Sequence, residues 1–345
     1  MNTTPSHQVD RSHARLGKPR TLARALLVAV VAIFTAAPAN AEEVVSVLHA
    51  GSLGNVMGLA MGPAFEEATD YNAQMEGRGS VALANMILDG LRKPDVYISA
   101  DPKTNEPLMK ADLVDWYAYG FSNAMVIAYS PKSKYADEFE KAASLPPKEG
   151  ALKAFQVMAN EGVRVGRTDP KLDPKGYRTL FVLELAEQIY EKPKLSEKVL
   201  GEARNAEQIF PEMQLAARLD TGQLDVGFYY RNEALAHGLP YIQLPDKLCL
   251  CDPALAEWYA TASYTAPDGT TYRGGPIVYS VTIPQAAPNP DGAVAFVEFM
   301  FSPQGRKILK DHGLPVVEHV VYGEWDAVPE ELHDVLGPPA QKATK

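Results

Sequence analysis

The stretch that decides the fold is Val44-Val-Ser-Val-Leu-His-Ala-Gly-Ser-Leu53. Its apolar, β-branched residues are typical of a buried parallel strand, and apolar residues at helical spacing follow it. The pattern therefore predicts a strand, a tight turn and the start of a helix. The first amides of a helix lie unpaired at the positive end of its dipole, so Gly51 and Ser52 form a potential anion-binding site. Alternatively, Ser52 is an ordinary N-cap that contributes about 1 kcal/mol to helix stability.

Residues 1–41 have the features of a secretory signal peptide. A basic segment is followed by an apolar run, Ala25 to Ala37, and by the small residues Ala39-Asn40-Ala41. The apolar run is shorter than the roughly 20 residues that span a membrane. We therefore expect an exported protein whose fold begins at residue 42.

Length and charge limit the possible architectures and partners. Removal of five basic residues and one acidic residue takes the net charge from −10 to −14, which argues against nucleic acid or anionic lipid as a partner. About 300 remaining residues exceed a usual single core, so two lobes are expected. The two cysteines, Cys249 and Cys251, form either a local disulfide or two free thiols.

A second unit resembles the first in its pattern. Residues 72–76 predict a strand, Gly77-Arg-Gly-Ser80 a turn, and the apolar residues from Val81 to Leu91 a helix. Adjacent βα units of a parallel sheet place their turns at the same edge, where open α/β sheets bind ligands. Gly79 and Ser80 are therefore expected beside Gly51 and Ser52.

The rest of the chain continues the α/β pattern. The first helix is expected to split at Gly62-Pro63. Further strands are predicted at residues 95–100, 121–129, 163–166, 226–230, 241–244 and 276–284. The predicted first lobe comprises residues 42–122 and 284–345, and the second comprises residues 123–283, with two crossings between them. Asn289-Pro290 is expected to cap one helix and Ser302-Pro303 to open the next.

Asp173-Pro174 predicts a third helix start, this time in the second lobe. Asp173 is either an ordinary cap or part of an anion site. A carboxylate about 4 Å from a unit of negative charge costs roughly 4 kcal/mol at an effective dielectric constant near 20. Asp173 must therefore turn away to its cap, coordinate an electrophilic centre within the anion, or accept a proton.

Tyr229 and Tyr230 end a predicted strand. Neighbouring strand residues point to opposite faces, so at most one of the two phenols enters a given cleft. A phenol is a neutral donor that suits an oxyanion, although both rings could equally serve packing.

Several runs, in this order, resemble the molybdate- and tungstate-binding solute-binding proteins of ABC transporters. They are His49–Leu53, Gly79-Ser80, Asp95–Asp101, Asn123–Tyr129, Lys132–Tyr135, Asp173–Arg178, Leu224–Arg231, Val278–Pro284 and Ala287–Pro290. The resemblance implies an α/β, two-lobed type II periplasmic-binding-protein fold. Each lobe would contain a mostly parallel sheet flanked by helices, and two hinge crossings would join the lobes. It also implies a monomeric periplasmic receptor that is not an enzyme.

The resemblance further implies roles for individual residues. Ser52 and Ser80, with the neighbouring amides at Gly51 and Gly79, would donate to molybdate or tungstate, and Asp173 could contact the metal centre of the anion. Tyr229 stands where six-coordinate relatives have a second carboxylate, so a tetrahedral oxyanion with Tyr229 as a donor is expected. No cofactor is implied. A separate permease and ATPase would be the partners, because the chain contains no P-loop.

Three alternatives stay open at this point. Adjacent tyrosines with His49 could bind ferric iron in the same fold. Sulfate, thiosulfate or phosphate could replace molybdate, since the sequence does not show cavity size. Finally, Ala50-Gly-Ser-Leu-Gly54 partly matches the nucleophile elbow of a serine hydrolase, with Ser52 as the nucleophile.

Overall fold

The structure, a computed structural model, describes residues 43–337, so the predicted signal peptide lies outside the described residues. The strands are β1 Glu43–Ala50, β2 Tyr71–Arg78, β3 Val96–Ser99, β4 Trp116–Ser122, β5 Met125–Tyr129, β6 Val165–Gly166, β7 Val226–Tyr230, β8 Tyr241–Gln243, β9 Ser263–Thr265, β10 Thr271–Arg273, β11 Val278–Thr282 and β12 Val321–Gly323. The helices are α1 Gly54–Val56, α2 Gly62–Ala68, α3 Ser80–Leu88, α4 Glu106–Lys110, α5 Ala136–Ala143, α6 Pro147–Met158, α7 Pro174–Tyr190, α8 Leu195–Leu200, α9 Glu212–Asp220, α10 Arg231–Ala236, α11 Asp246–Cys249, α12 Ala256–Tyr259, α13 Pro290–Phe301, α14 Pro303–Asp311 and α15 His333–Leu336. Within residues 43–337, no helix combines the length and apolarity that crossing a membrane requires.

Within residues 43–337 two large sheets organise the chain, β9 and β10 form a separate two-stranded sheet, and the predicted α/β class is confirmed. The first has the strand order β12-β4-β11-β3-β1-β2, and the second has the order β6-β7-β5-β8. Both sheets are mixed, whereas mostly parallel sheets were expected. In the first sheet β1 pairs in parallel with β2 and β3, but β11 is antiparallel to β3 and β4, and β12 is antiparallel to β4. The reason is that β11 returns from the second sheet and inserts between two strands of the first.

Between residues 43 and 337 the chain passes between the two large sheets at two places. The strand predicted over residues 121–129 is wrong as a single element, because β4 ends at Ser122 in the first sheet and β5 begins at Met125 in the second. The second passage brings the chain back to the first sheet at Val278, which pairs with Ser122. Residues 278–282, which the sequence analysis assigned to the second lobe, therefore pair within the first sheet. The lobe boundaries themselves stay predictions.

The two N-terminal βα units have the expected arrangement. Ala50 at the end of β1 pairs in parallel with Arg78 at the end of β2, so the turns at Gly51 and Gly79 leave the same edge. The first helix is split, as predicted. A 3₁₀ turn, α1 and a π-helical turn over Met57–Met61 precede α2, in which Pro63 occupies the first turn. Proline lacks the N–H that would continue a regular ladder, which accounts for the break.

The structure also shows the state of the two cysteines and the caps of α13 and α14. Cys249 and Cys251 form a disulfide bond. Asn289 and Ser302 cap α13 and α14 through their side chains, as predicted. Two helices pack together through Phe65 of α2, whose ring centroid lies 5.1 Å from that of Phe296 in α13.

The carboxylate of Asp95 holds three segments of the first sheet layer together by hydrogen bonds. The residue is 2% exposed and directly precedes β3. Its Oδ2 accepts hydrogen bonds from the backbone N and the Oγ of Ser46 in β1, both at 2.7 Å. Its Oδ1 accepts from the backbone N of Asn289 at 2.6 Å. One carboxylate thus fixes β1, β3 and the cap of α13.

Asp95→Ala should lower the free energy of unfolding by at least about 4 kcal/mol, because it removes three hydrogen bonds to a charged acceptor, which contribute roughly 1.5–3 kcal/mol each. Urea unfolding followed by circular dichroism measures the change. Asp291→Ala, at an exposed acid in the first turn of α13, is the control and should lose less than about 1 kcal/mol. Equal losses in the two variants would contradict the role given to Asp95.

Candidate functional site

The loop before α7 in the second sheet layer meets the turn between β2 and α3 in the first. The backbone O of Leu172 accepts a hydrogen bond from Ala82 N at 3.1 Å. A Cβ atom on Gly79 would lie 2.5 Å from Leu172 O and 3.2 Å from the Cβ of Asp173. Only glycine permits this approach. The structure therefore brings the predicted positions Gly79 and Asp173 together.

The turn after β1 meets the same region through α9. A Cβ atom on Gly51 would collide with the carboxylate of Glu212, the first residue of α9. The Oε1 of Glu212 lies 2.9 Å from the Nζ of Lys175 in the first turn of α7. Lys175 N in turn donates to Asp173 Oδ1 at 2.7 Å. Gly51 is thus linked to the α7 start through a carboxylate that the sequence analysis did not single out.

Lys175 is a fully buried ammonium group surrounded by carboxylates. Its Nζ donates to both oxygens of Glu233 at 2.7 and 2.8 Å, in addition to its contact with Glu212. Burial alone would lower the pKa of Lys175, but the charges of Glu212, Glu233 and Asp173 raise it well above the ordinary value. Lys175 therefore stays charged at neutral pH.

Glu212 differs from an ordinary surface glutamate. Burial, and after it the negative charge of Asp173, raises the pKa of Glu212 well above its usual range, although Lys175 opposes the shift. The physical reason is that one ammonium group faces three carboxylates, so the cluster carries excess negative charge in a region with little water. Glu212 is consequently the member of the cluster that most readily holds a proton.

Neither serine is an ordinary N-cap, which removes the simpler alternative for Ser52. Ala50 precedes the turn that contains Ser52, Gly79 precedes α3, and neither helix start has a side-chain cap. The Oγ of Ser52 instead lies 2.9 Å from Tyr279 Oη. The Oγ of Ser80 accepts from Ala100 N at 3.0 Å, which leaves the hydroxyl hydrogen of Ser80 free to donate elsewhere.

The two tyrosines have different surroundings, in keeping with opposite faces of β7. Tyr230 Oη accepts from Arg178 Nη1 at 2.7 Å. Tyr229 is 1% exposed, and its Oη has no hydrogen-bond partner within residues 43–337. The ring centroid of Tyr229 lies 5.3 Å from Lys175 Nζ. Because burial raises the pKa of Tyr229, its phenol is a protonated donor at neutral pH.

A cleft of about 490 Å³ opens between the two sheet layers at this point. Its lining includes Gly79 from the first layer, and Asp173, Glu212 and Thr168 from the second. Thr168 is 2% exposed, and its Oγ1 has no partner within the described residues. Ser52, Ser80 and Tyr229 are buried and are not among the residues that line this cleft.

Comparison with known proteins gives the family. The family described as "Bacterial extracellular solute-binding protein" matches residues 45–314. The chain belongs to this family. Among the relatives of this solute-binding protein is a Haloferax volcanii protein whose name describes an ABC transporter molybdenum-binding protein. It is 41% identical over 239 residues, which cover 69% of this chain and 72% of the relative.

A second relative is the molybdate/tungstate-binding protein WtpA of Thermococcus kodakarensis, which is 30% identical over 86% of this chain and 88% of its own length. Two solved structures share the fold of this solute-binding protein. The Azotobacter vinelandii periplasmic molybdate-binding protein has a TM-score of 0.52 at 18% identity and covers 78% of this chain and 98% of its own. The Mycobacterium tuberculosis sulfate-binding protein SubI has a TM-score of 0.54 at 15% identity and covers 86% and 93%. The expected two-lobed type II periplasmic-binding-protein fold is thereby confirmed.

The geometry disfavours two of the alternatives. For iron, Tyr230 is bonded to Arg178, Tyr229 stays protonated, and burial lowers the pKa of His49, whose Nδ1 lies 2.8 Å from Ala50 O. A pair of phenolates is therefore not preformed in the metal-free protein. For a hydrolase, Ser52 needs a histidine base, but its hydroxyl partner among residues 43–337 is Tyr279.

The sequence analysis missed Lys175, Glu212 and Glu233 as members of this site. Lys175 lies within the run Asp173–Arg178 that carried the resemblance, so its position in that run was the available signal. Glu212 and Glu233 lie in the first turns of α9 and α10. An acid in a first turn is common on any helix, and nothing local marks these two as buried.

Glu212→Gln should remove a pH-dependent loss of stability. The pKa of Glu212 in the folded protein lies above its unfolded value, so its contribution is fully present below the unfolded pKa and is lost as pH rises through the folded pKa. Between the unfolded and the folded pKa of Glu212, each unit of rising pH lowers the free energy of unfolding of the wild type by about 1.4 kcal/mol. Thermal unfolding from pH 4 to pH 8 should show the variant equal to the wild type at pH 4 and more stable by a few degrees at pH 8, since roughly 2 °C corresponds to 1 kcal/mol.

Glu207→Gln is the matched control, because Glu207 is exposed just before α9. This variant should follow the wild-type profile at every pH. If Glu212→Gln is instead less stable than the wild type at pH 8, ionised Glu212 stabilises the cluster and the assignment is wrong.

Proposed function

We propose that this protein is the extracytoplasmic receptor of an ABC importer and captures molybdate or tungstate between its two lobes. The observation that carries the proposal is the meeting of three loop ends: the turn at Gly51-Ser52, the turn at Gly79-Ser80 and the start of α7 at Asp173. The names of the relatives from Haloferax volcanii and Thermococcus kodakarensis support the choice of anion.

The donors in this proposal are neutral. Ser52, Ser80 and the amides beside them would bind from the first lobe, and the phenol of Tyr229 would bind from the second. Each hydrogen bond to a charged acceptor contributes about 1.5–3 kcal/mol. Neutral donors are needed because the ammonium of Lys175 is already matched by carboxylates and supplies no spare positive charge.

Asp173 keeps its cap in the proposed complex. Its Oδ1 already accepts a hydrogen bond from Lys175 N. Asp173 can therefore stay turned towards its own helix cap when a dianion binds nearby. The oxyanion then stays tetrahedral, because Tyr229 occupies the place of a second carboxylate. Direct contact between Asp173 and the molybdenum or tungsten atom stays a prediction.

The proposed setting is the periplasm. The protein would act as a monomer, without a cofactor, and deliver the anion to separate permease and ATPase subunits of the importer. Sulfate, thiosulfate and phosphate are the competing anions of the same fold, and titration distinguishes them directly.

Calorimetric titration with molybdate, tungstate, sulfate, phosphate and ferric ion tests the ligand. Molybdate or tungstate should bind most tightly, and Ser80→Ala should weaken that binding at least roughly tenfold, the loss of one hydrogen bond to the anion. Ser302→Ala is the matched control. It also removes one serine hydroxyl, the cap of α14, which should cost about 1 kcal/mol of stability, and it does not touch the site. Unchanged affinity in Ser80→Ala would contradict the role of this hydroxyl.

Binding should also strengthen as pH falls. A dianion at the Gly51 turn faces Glu212, and protonation of that carboxyl removes a repulsion of roughly 4 kcal/mol per unit charge at about 4 Å. Lys175 and Glu233 contact the same cluster, and Asp173, Tyr229 and Tyr279 face it. Titrations of tungstate at pH 6 and pH 8, in buffers of different ionisation enthalpy, should show tighter binding and less proton uptake at pH 6. The same affinity at both pH values, with no proton uptake, would exclude this role for Glu212.

A further inference from the structure

Four buried polar residues form a closed ring of hydrogen bonds at the Gly51-Ser52 turn, and the ring passes through both the hydroxyl and the backbone O of Ser52. They come from the turn after β1 (Ser52), the crossing between β4 and β5 (Asn123), α10 (Asn232) and β11 (Tyr279), and each is at most 4% exposed. Asn123 Nδ2 donates to Tyr279 Oη at 3.2 Å and to Asn232 Oδ1 at 2.7 Å. Asn232 Nδ2 donates to Ser52 O at 2.8 Å, and Tyr279 Oη lies 2.9 Å from Ser52 Oγ.

The backbone fixes the direction of these bonds. Ala124 N donates to Asn123 Oδ1 at 2.9 Å, so the amide nitrogen of Asn123 must face Asn232 and Tyr279. Both hydrogens of that nitrogen are then used. Asn232 receives one of them on Oδ1, which leaves its own nitrogen to donate to Ser52 O.

Tyr279 consequently accepts a hydrogen bond from Asn123 and must place its own hydrogen elsewhere. The acceptor within hydrogen-bond distance among residues 43–337 is Ser52 Oγ. Buried hydroxyl groups are rarely left without an acceptor, so Tyr279 donates and Ser52 accepts. Burial also raises the pKa of Tyr279, which keeps the phenol protonated. The hydroxyl hydrogen of Ser52 is then the one left for a ligand.

We propose that Asn123 and Tyr279 are positioning residues that orient the Ser52 hydroxyl as a donor to the oxyanion. This inference rests on the proposed function. It adds a chain of hydrogen bonds from Asn123 through Tyr279 to Ser52, which we call the relay. Because Tyr279 occupies one lone pair of Ser52 Oγ, the hydroxyl hydrogen is aimed before the anion arrives. Such preorganisation reduces the loss of side-chain freedom on binding.

A double-mutant cycle with tungstate tests the relay. Tyr279→Phe removes one oxygen and keeps the ring, which stacks on Phe121 with centroids 4.8 Å apart. It should lower the affinity about tenfold, and Ser52→Ala should lower it at least tenfold. In the Ser52→Ala background, Tyr279→Phe should cause no further loss, because the hydroxyl that it orients is already gone. Tyr117→Phe, at a buried tyrosine of β4, is the control and should leave the affinity unchanged.

The outcomes separate the relay from the proposed function. Equal losses from Tyr279→Phe in both backgrounds, or no loss in the single variant, would overturn the relay while the wild type still binds tungstate. No binding of any oxyanion by the wild type would overturn the proposed function and the relay together. If Tyr279→Phe fails to fold, Asn123→Ala replaces it. Without that donor the Tyr279 hydroxyl can accept from Ser52 as well as donate to it, so a smaller loss of a few-fold should appear, and it should again vanish in the Ser52→Ala background.

Discussion

The arrangement of the site depends on one buried ammonium group. Lys175 is fully buried, and an isolated charge in that position would be very unfavourable, so its surroundings must supply carboxylates. Glu233 from α10 supplies a carboxylate at 2.7 Å, and the carboxyl group of Glu212 from α9 accepts a further hydrogen bond from Lys175 at 2.9 Å. Satisfying Lys175 therefore draws three helix starts of the second sheet layer together. It also places Glu212 against Gly51, which ties this layer to the first turn of the other sheet.

This constraint explains why the proposed receptor would rely on neutral donors. The positive charge at the site is already balanced, and the whole chain is acidic, with a net charge of −10. An incoming dianion gains little from long-range attraction. Hydroxyl groups, amides and a buried phenol bind such an anion without adding fixed charge, and they discriminate by geometry. The ring formed by Ser52, Asn123, Asn232 and Tyr279 extends this logic, since it controls the direction of a hydrogen and leaves charge unchanged.

Local signals in the sequence predicted much of the fold and part of the site. The first strand, the second βα unit and the cap at Asp173 each follow from a few neighbouring residues, and the structure has them all, with the first strand one residue longer than predicted at its end. The break of the run 121–129 into β4 and β5 and the insertion of β11 were not predicted, because they depend on pairing between distant segments. Asn123 and Tyr279 are separated by 156 positions, and Lys175 and Glu233 by 58. No local pattern marks such partners as neighbours.

In the proposed receptor, the loop ends at Ser52, Ser80 and Asp173 surround one anion. A crystal structure of the protein with bound tungstate, with the tungsten atom located by its anomalous scattering, tests this most directly. The account predicts a single tungsten site with four oxygens, of which individual oxygens lie within about 3 Å of the Ser52, Ser80 and Tyr229 hydroxyl oxygens. A tungsten atom at another surface, or one bonded to carboxylates with both serine hydroxyls turned away, would contradict it.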